Sequence, residues 1–223
     1  MREVRDSWNS SSSPWTRLLA GVVGWLYPSR CALCSVLGDE PICSICLQDF
    51  VEVDNVRNSS DDGPLASTVV QFRYRGRVGQ AVRRLKYSRA TSLARPMAGL
   101  MREGLERLGL GTFDLVVPVP IHWSRRSARG FNQSELLSEC LSGVCLGALK
   151  RTRRTRAQAR LSREARINNL AGAFRASDVV RGKSVLLIDD VLTSGETARE
   201  CARALAAAGA TEVAILAFAG EGV

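Results

Sequence analysis

The sequence predicts an α/β protein, a parallel sheet flanked by helices, with a small four-cysteine module at its amino-terminal side. Three observations carry that expectation. From residue 67 onward, strand-like apolar runs alternate with segments of helical spacing. One run, Val185-Leu-Leu-Ile, ends in an acidic pair and a Gly-containing loop before an Ala-rich helix. Two Cys-x-x-Cys pairs, Cys31/Cys34 and Cys43/Cys46, fall in one short stretch. A chain of 223 residues has room for one such domain and a small appendage. With 45% hydrophobic and 24% charged residues it is excluded from wholesale disorder, collagen-like repeats and polytopic membrane proteins. Lys and Arg number 31 against 22 Asp and Glu, and the net charge of +9 favours anionic partners without choosing among phosphates, nucleic acid and acidic surfaces.

In chain order, residues 1–14 lack periodicity and are expected to form a disordered tail. Residues 15–57 are expected to hold an amino-terminal helix and the cysteine module. In that helix Trp15, Leu18, Leu19, Val22, Trp25 and Leu26 share one apolar face. The run Leu18–Leu26 is about half the length of a spanning helix and no A-x-A-like cleavage site follows it, so neither a membrane span nor secretion is expected. Gly, Asp and Ser at 58–63 mark a boundary, with the main domain at 64–223. Strands are expected at Ser67–Phe72, Asp114–Val119, Val144–Leu149, Ser184–Asp189 and Glu212–Ala219. Helices are expected at 78–86, 92–107, Gln133–Leu141 and Thr197–Ala208.

Each Cys-x-x-Cys turns two thiolates toward one ion, and Cys31, Cys34, Cys43 and Cys46 together supply the soft tetrahedral set of a closed, structural zinc site. A redox pair is the rival explanation, but its βαβ context is missing. Metal-type spacing points to a reducing cytoplasm. Cys140, Cys145 and Cys201 sit in apolar runs and are read as small buried hydrophobes.

The strand–loop–helix around Asp189 and Asp190 carries the most chemistry. The acidic pair falls at a strand's carboxyl end, where open α/β sheets bind ligands, and two carboxylates suit vicinal hydroxyls. Val191, Leu192, Thr193, Ser194, Gly195, Glu196 and Thr197 follow, offering hydroxyls, a Gly that tolerates positive φ, and the N–H groups of a helix start. Together they make an anion cradle. Walker A and Gly-x-Gly-x-x-Gly patterns are absent.

Val185–Thr197 resembles the phosphoribosyl pyrophosphate (PRPP) motif of type I phosphoribosyltransferases. Asp114–Pro120, Arg125, Arg129-Gly-Phe-Asn-Gln133, Gln158, Leu161, Arg166, Asn169 and Phe174, with the cysteine module, resemble the ComF family over most of residues 15–220. The resemblance implies a type I phosphoribosyltransferase-like sheet and PRPP bound with magnesium. It assigns Asp189 and Asp190 to the ribose as the catalytic pair, and Thr193–Thr197 to the 5′-phosphate. A pyrophosphate loop would start at Pro120, with Arg125, Arg126 and Arg129 as fork-shaped donors and only Arg129 in the family-like Arg-Gly-Phe-Asn string. Lys150–Arg166 resembles a mobile loop of glutamine PRPP amidotransferase, with Gln158 and Arg166 as ligand candidates. Two positions depart from the family pattern. Ser194 keeps the hydroxyl of the usual Thr, whereas Glu196 brings a carboxylate into the phosphate loop, which would weaken anion binding there unless its side chain points to solvent. His122 is assigned a structural or pyrophosphate-side role in preference to general base.

The resemblance also implies a link to natural competence, DNA uptake and the proteins that perform it. Three functions therefore stay open: a phosphoribosyltransferase of unassigned acceptor, a PRPP-sensing regulator without turnover, and a single-stranded-DNA-binding accessory protein. The last draws on Arg73, Arg75, Arg77, Arg83, Arg84, Lys86 and Arg89, with Tyr74 and Tyr87 among them, and on the Arg-rich stretch from Arg151 to Arg166.

Overall fold

The apolar run beginning at Ser184 becomes a strand buried on both faces, and the molecule is layered around it. The computed structural model describes residues 29–58, 64–109, 112–153 and 170–221. In chain order its elements are α1 (Ser44–Gln48), β1 (Glu52–Asn58), β2 (Ser67–Arg73), α2 (Gly76–Tyr87), α3 (Ala94–Arg107) and β3 (Leu115–Pro118). Then come α4 (Trp123–Arg129), α5 (Gln133–Ser138), β4 (Leu149–Arg151), β5 (Phe174–Ala176), β6 (Ser184–Leu192), α6 (Glu196–Ala207) and β7 (Glu212–Gly220). Five strands form one sheet in the order β1-β2-β7-β6-β3. Its β2, β7, β6 and β3 run parallel, and β1 pairs antiparallel along the β2 edge.

Side chains alternate across β6, as the period of two requires. Leu186 and Ile188 enter a core with Phe72, Leu216 and Phe218, covered by Val78, Ala81, Val82 and Leu85 of α2 and by Met97 and Met101 of α3. Val185 and Leu187 enter the opposite core with Val213 and Ile215, covered by Ala198, Cys201, Ala202 and Leu205 of α6. The i, i+3, i+4, i+7 spacing in α2 is what the expected amphipathic helix required. Phe50 joins Phe72 and Phe218 with ring centroids 5.5 and 6.2 Å away, so the segment after the cysteine module packs into the first core.

Three features differ from the sequence expectation. Val144–Leu149 is not a strand of the parallel sheet: Val144 makes a single parallel bridge to Val116, and Leu149–Arg151 pairs antiparallel with β5 as a separate two-stranded sheet. Glu52–Asn58 forms the edge strand β1, so the sheet begins before the 58–63 stretch. The Arg-rich Trp123–Arg129 is helical, capped by His122 Nδ1, which accepts from the Ser124 N–H at 3.2 Å. The amino-terminal helix, the tail, the 59–63 part of the boundary, Gln158, Leu161, Arg166 and Asn169 lie outside the described residues.

Candidate functional site

Strands β3 and β6 are neighbours, but the helices that follow them serve opposite faces, since Leu137 of α5 belongs to the first core and α6 to the second. A crevice opens where such neighbours diverge at their carboxyl ends. Here it is a cleft of about 530 Å³ lined by Lys86, Val119–Ile121, Arg125, Arg129, Gln133, Arg151, Asp189, Asp190, Thr193 and Thr197, among others. That volume falls in the range of roughly 300–1,000 Å³ typical of small-molecule sites. Four cationic side chains face two carboxylates across it, so the lining is net positive.

The carboxylates are individually held. Asp190 is buried, and its Oδ2 lies 2.6 Å from Lys86 Nζ at the end of α2. Burial opposes the lysine's charge, yet Asp190 and then Asp189 outweigh it and raise the Lys86 pKa. Asp189 Oδ1 accepts from the Asp190 N–H at 2.9 Å and from Ser134 Oγ at 3.2 Å. Burial and then the neighbouring Asp190 charge push the Asp189 carboxyl up to about 7, with Lys86 and the Asp190 N–H acting the other way. Across the cleft the guanidinium of Arg129 lies 5.1 Å from the Tyr87 ring centroid and that of Arg151 lies 5.3 Å from that of Phe174. Burial and then the neighbouring Arg125 lower the Arg151 pKa, with Cys201 and Asp189 acting the other way.

Beside the acidic pair, residues 191–198 wrap a hollow of about 80 Å³. Gly195 has φ +74 and starts α6, whose first N–H groups have no intrahelical partner. A Cβ there would lie 3.0 Å from Arg199 Nη1. Arg199 braces the loop, donating from Nη1 and Nη2 to the Ser194 carbonyl at 3.0 and 3.1 Å. Glu196 does not point to solvent: it is buried, with Oε1 3.8 Å from Arg199 Nη1. The arginine thus offsets the carboxylate that the sequence places in the loop.

Of the residues singled out from sequence, Arg125, Arg129, Asp189, Asp190 and 191–197 line these two adjoining hollows. Arg126 turns away to pair with Glu135. His122 is buried as a helix cap and does not line the cleft. Lys86, Ser134, Arg151 and Arg199 are not singled out by the sequence as residues of this site: Lys86 falls in the basic cluster read for single-stranded DNA, and Arg151 in the Arg-rich Lys150–Arg166 stretch.

The cysteine module packs on the same α2. All four Sγ atoms lie within 4.8 Å of one another, with Cys31–Cys46 at 3.8 Å and Cys34–Cys43 at 3.6 Å. Tetrahedral thiolates about 2.3 Å from a zinc ion are about 3.8 Å apart, so the set fits that ion. Cys31 Sγ also accepts from the N–H groups of Leu33 and Cys43, both at 3.4 Å. Arg77 Nη1 and Gln80 Nε2 donate to the Leu33 carbonyl at 3.2 and 3.1 Å, and Arg84 donates to that of Ala32. The cations in and around α2 are thus divided: Arg77 and Arg84 hold the module, Lys86 holds Asp190, and Arg73, Arg75, Arg83 and Arg89 are exposed. Among the described residues no helix is long and apolar enough to cross a membrane.

Comparison with known proteins places these features in context. Residues 137–222 match the phosphoribosyl transferase domain family. The chain is 33% identical over 199 residues to DNA utilization protein YhgH of Salmonella typhi, covering 84% of this chain and 82% of the relative. It is 36% identical over 143 residues to the protein of that name from Escherichia coli strain K12, covering 60% and 63%. Competence protein F of Haemophilus influenzae is 30% identical over 146 residues, covering 60% and 64%.

Proposed function

From the premise that this chain belongs to the ComF family, we propose that its cleft binds phosphoribosyl pyrophosphate with magnesium, as a phosphoribosyltransferase-like protein serving DNA uptake or utilization. The observation that carries this is the pairing of Asp189 and Asp190 with the braced loop 193–197 on one side and three arginines on the other. The carboxylates suit the ribose hydroxyls, the small hollow the 5′-phosphate, and Arg125, Arg129 and Arg151 the pyrophosphate. The oxygens of a bound pyrophosphate supply a hard-cation site, and the cationic lining opposite it is unsuited to holding magnesium alone. Among the described residues the only cluster of three or more metal-ligating groups is that of the cysteines, so magnesium would arrive with the ligand. It would spread the charge of the leaving pyrophosphate. Alignment and leaving-group stabilisation suffice for transfer through an oxocarbenium-like state, with no protein nucleophile. Cys31, Cys34, Cys43 and Cys46 hold zinc structurally.

PRPP with magnesium should raise the melting temperature, by about 2.7 kcal/mol of stabilisation at a hundredfold excess over Kd. Asp189→Asn with Asp190→Asn should abolish the response. A double variant that responds like wild type removes the acidic pair from the site.

A second function, single-stranded DNA binding, is supported by the exposed Arg73, Arg75 and Arg83 and by the names of the relatives. Contact with several phosphates predicts that log K falls with log salt at about −0.7 per phosphate neutralised. Affinity that does not change with salt, or that survives replacing these three arginines with Ala, contradicts it.

A further inference from the structure

At the start of α5 three consecutive polar side chains are buried, and two of them are fully used. Asn132 Nδ2 donates to the Val119 carbonyl at 3.1 Å, and its Oδ1 accepts from the Ser134 N–H at 3.2 Å. Ser134 Oγ donates to Asp189 Oδ1. Between them Gln133 is 3% exposed, lines the cleft, and has a carboxamide oxygen with no hydrogen-bond partner. A buried acceptor without a donor is destabilising, and few are tolerated in a native protein. Both flanking residues are pinned, one to the end of β3 and one to the acidic pair, so the Gln133 backbone has little freedom to carry its side chain elsewhere.

We propose that Gln133 is a ligand-recognition residue of the cleft whose carboxamide oxygen accepts a hydrogen bond from a hydroxyl of the bound sugar. This rests on the phosphoribosyl reading of the cleft and adds a specificity-determining residue to it. The donor follows from the chemistry of the ligand. Ionised phosphate and pyrophosphate oxygens only accept, and the hydroxyls are the donors that a phosphoribosyl group brings. Position agrees, because the next residue in the chain touches Asp189. An N–H on an incoming acceptor molecule has the same donor chemistry, and the choice of probes separates the two sources.

The test uses the full zinc-loaded chain and Gln133→Met, which keeps the side chain's length and removes its polar atoms. Calorimetric titration of wild type and variant is made with three probes in magnesium: PRPP, ribose 5-phosphate and pyrophosphate. The variant should bind PRPP and ribose 5-phosphate about five- to twentyfold more weakly, as loss of one hydrogen bond predicts. It should bind pyrophosphate, which has no hydroxyl, within twofold of wild type. Its ligand-free melting temperature should equal or exceed that of wild type, since an unsatisfied acceptor is gone. Equal weakening for all three probes, or PRPP affinity unchanged, overturns the assignment, the latter leaving an acceptor's N–H as the donor. A wild type that binds none of the probes overturns the phosphoribosyl reading as well. A wild type that binds all three, matched by its variant, overturns the role of Gln133 alone.

Discussion

Replacing Lys86 with Met keeps the aliphatic stem that packs beneath the cleft and removes only the ammonium 2.6 Å from Asp190. Side-chain exposures of 19% for the lysine and 5% for the aspartate place the pair in a largely dry setting. Breaking a fully buried pair by deleting one partner costs about 3–5 kcal/mol, because an uncompensated charge is left behind. Here water in the open cleft screens part of that, so about 2–3 kcal/mol is expected near pH 7.5, or a melting temperature lower by about 4–12 °C. The loss should depend on pH with a definite sign. Asp189 titrates near 7 in the folded protein against an ordinary value of 3.8, so its stabilising contribution is full below the unfolded value and fades as pH rises through the folded one. Removing Lys86 takes away a charge that lowers the Asp189 pKa, so that carboxyl stays protonated to higher pH and the variant's deficit should shrink toward pH 5. Urea unfolding of wild type, Lys86→Met and Lys86→Arg at pH 5 and 7.5 reads this directly. A deficit within about 0.5 kcal/mol of zero at pH 7.5, or one of equal size at both pH values, would refute a charge-based role.

Three further outcomes follow from the same geometry. Asp189→Asn should raise the melting temperature of the ligand-free protein at pH 8, where the wild-type carboxylate is ionised beside Asp190, and should erase that gain below pH 4; thermal scans at both pH values check it. Arg199→Ala removes both donors to the Ser194 carbonyl and a guanidinium 3.8 Å from the buried Glu196 carboxylate, so about 2–3 kcal/mol of stability and the PRPP-induced thermal shift should both be lost. Metal analysis should find one zinc per chain, lost in Cys34→Ser, with faster amide exchange in α2, because Arg77, Gln80 and Arg84 lose their hold on the Cys31–Cys34 turn; unchanged exchange there would break the link between module and helix.

What was legible in the sequence was what is contiguous. Ser184–Thr197 announces its strand, acidic pair, loop and helix because all of them lie on one stretch of chain, and the four cysteines announce themselves by spacing. Groups that reach the cleft from elsewhere were not legible in the same way. Lys86 reads as one more cation among Arg83, Arg84 and Arg89, and only the packing of α2 on the sheet brings its ammonium to Asp190. Arg151 reads as the beginning of an Arg-rich loop, and its place on β4 against Phe174 depends on a two-stranded sheet whose strands are far apart in sequence. The buried state of Glu196 depends on Arg199 one turn later, a pairing that helical spacing permits and that sequence alone left undecided. The edge strand Glu52–Asn58 was missed because EVDNVRN lacks the apolar run of a central strand. Val144–Leu149 was expected to be a sheet strand because its residues are apolar, yet the Gly147 turn, with φ +81, breaks it before Leu149.

The measurement that bears most directly on the function is calorimetric titration of PRPP with magnesium into the zinc-loaded chain, beside Asp189→Asn with Asp190→Asn. One saturable site per chain, absent from the double variant while the variant's fold is intact, is the predicted result. No binding by wild type, or equal binding by the variant, would contradict the assignment of this cleft to a phosphoribosyl ligand.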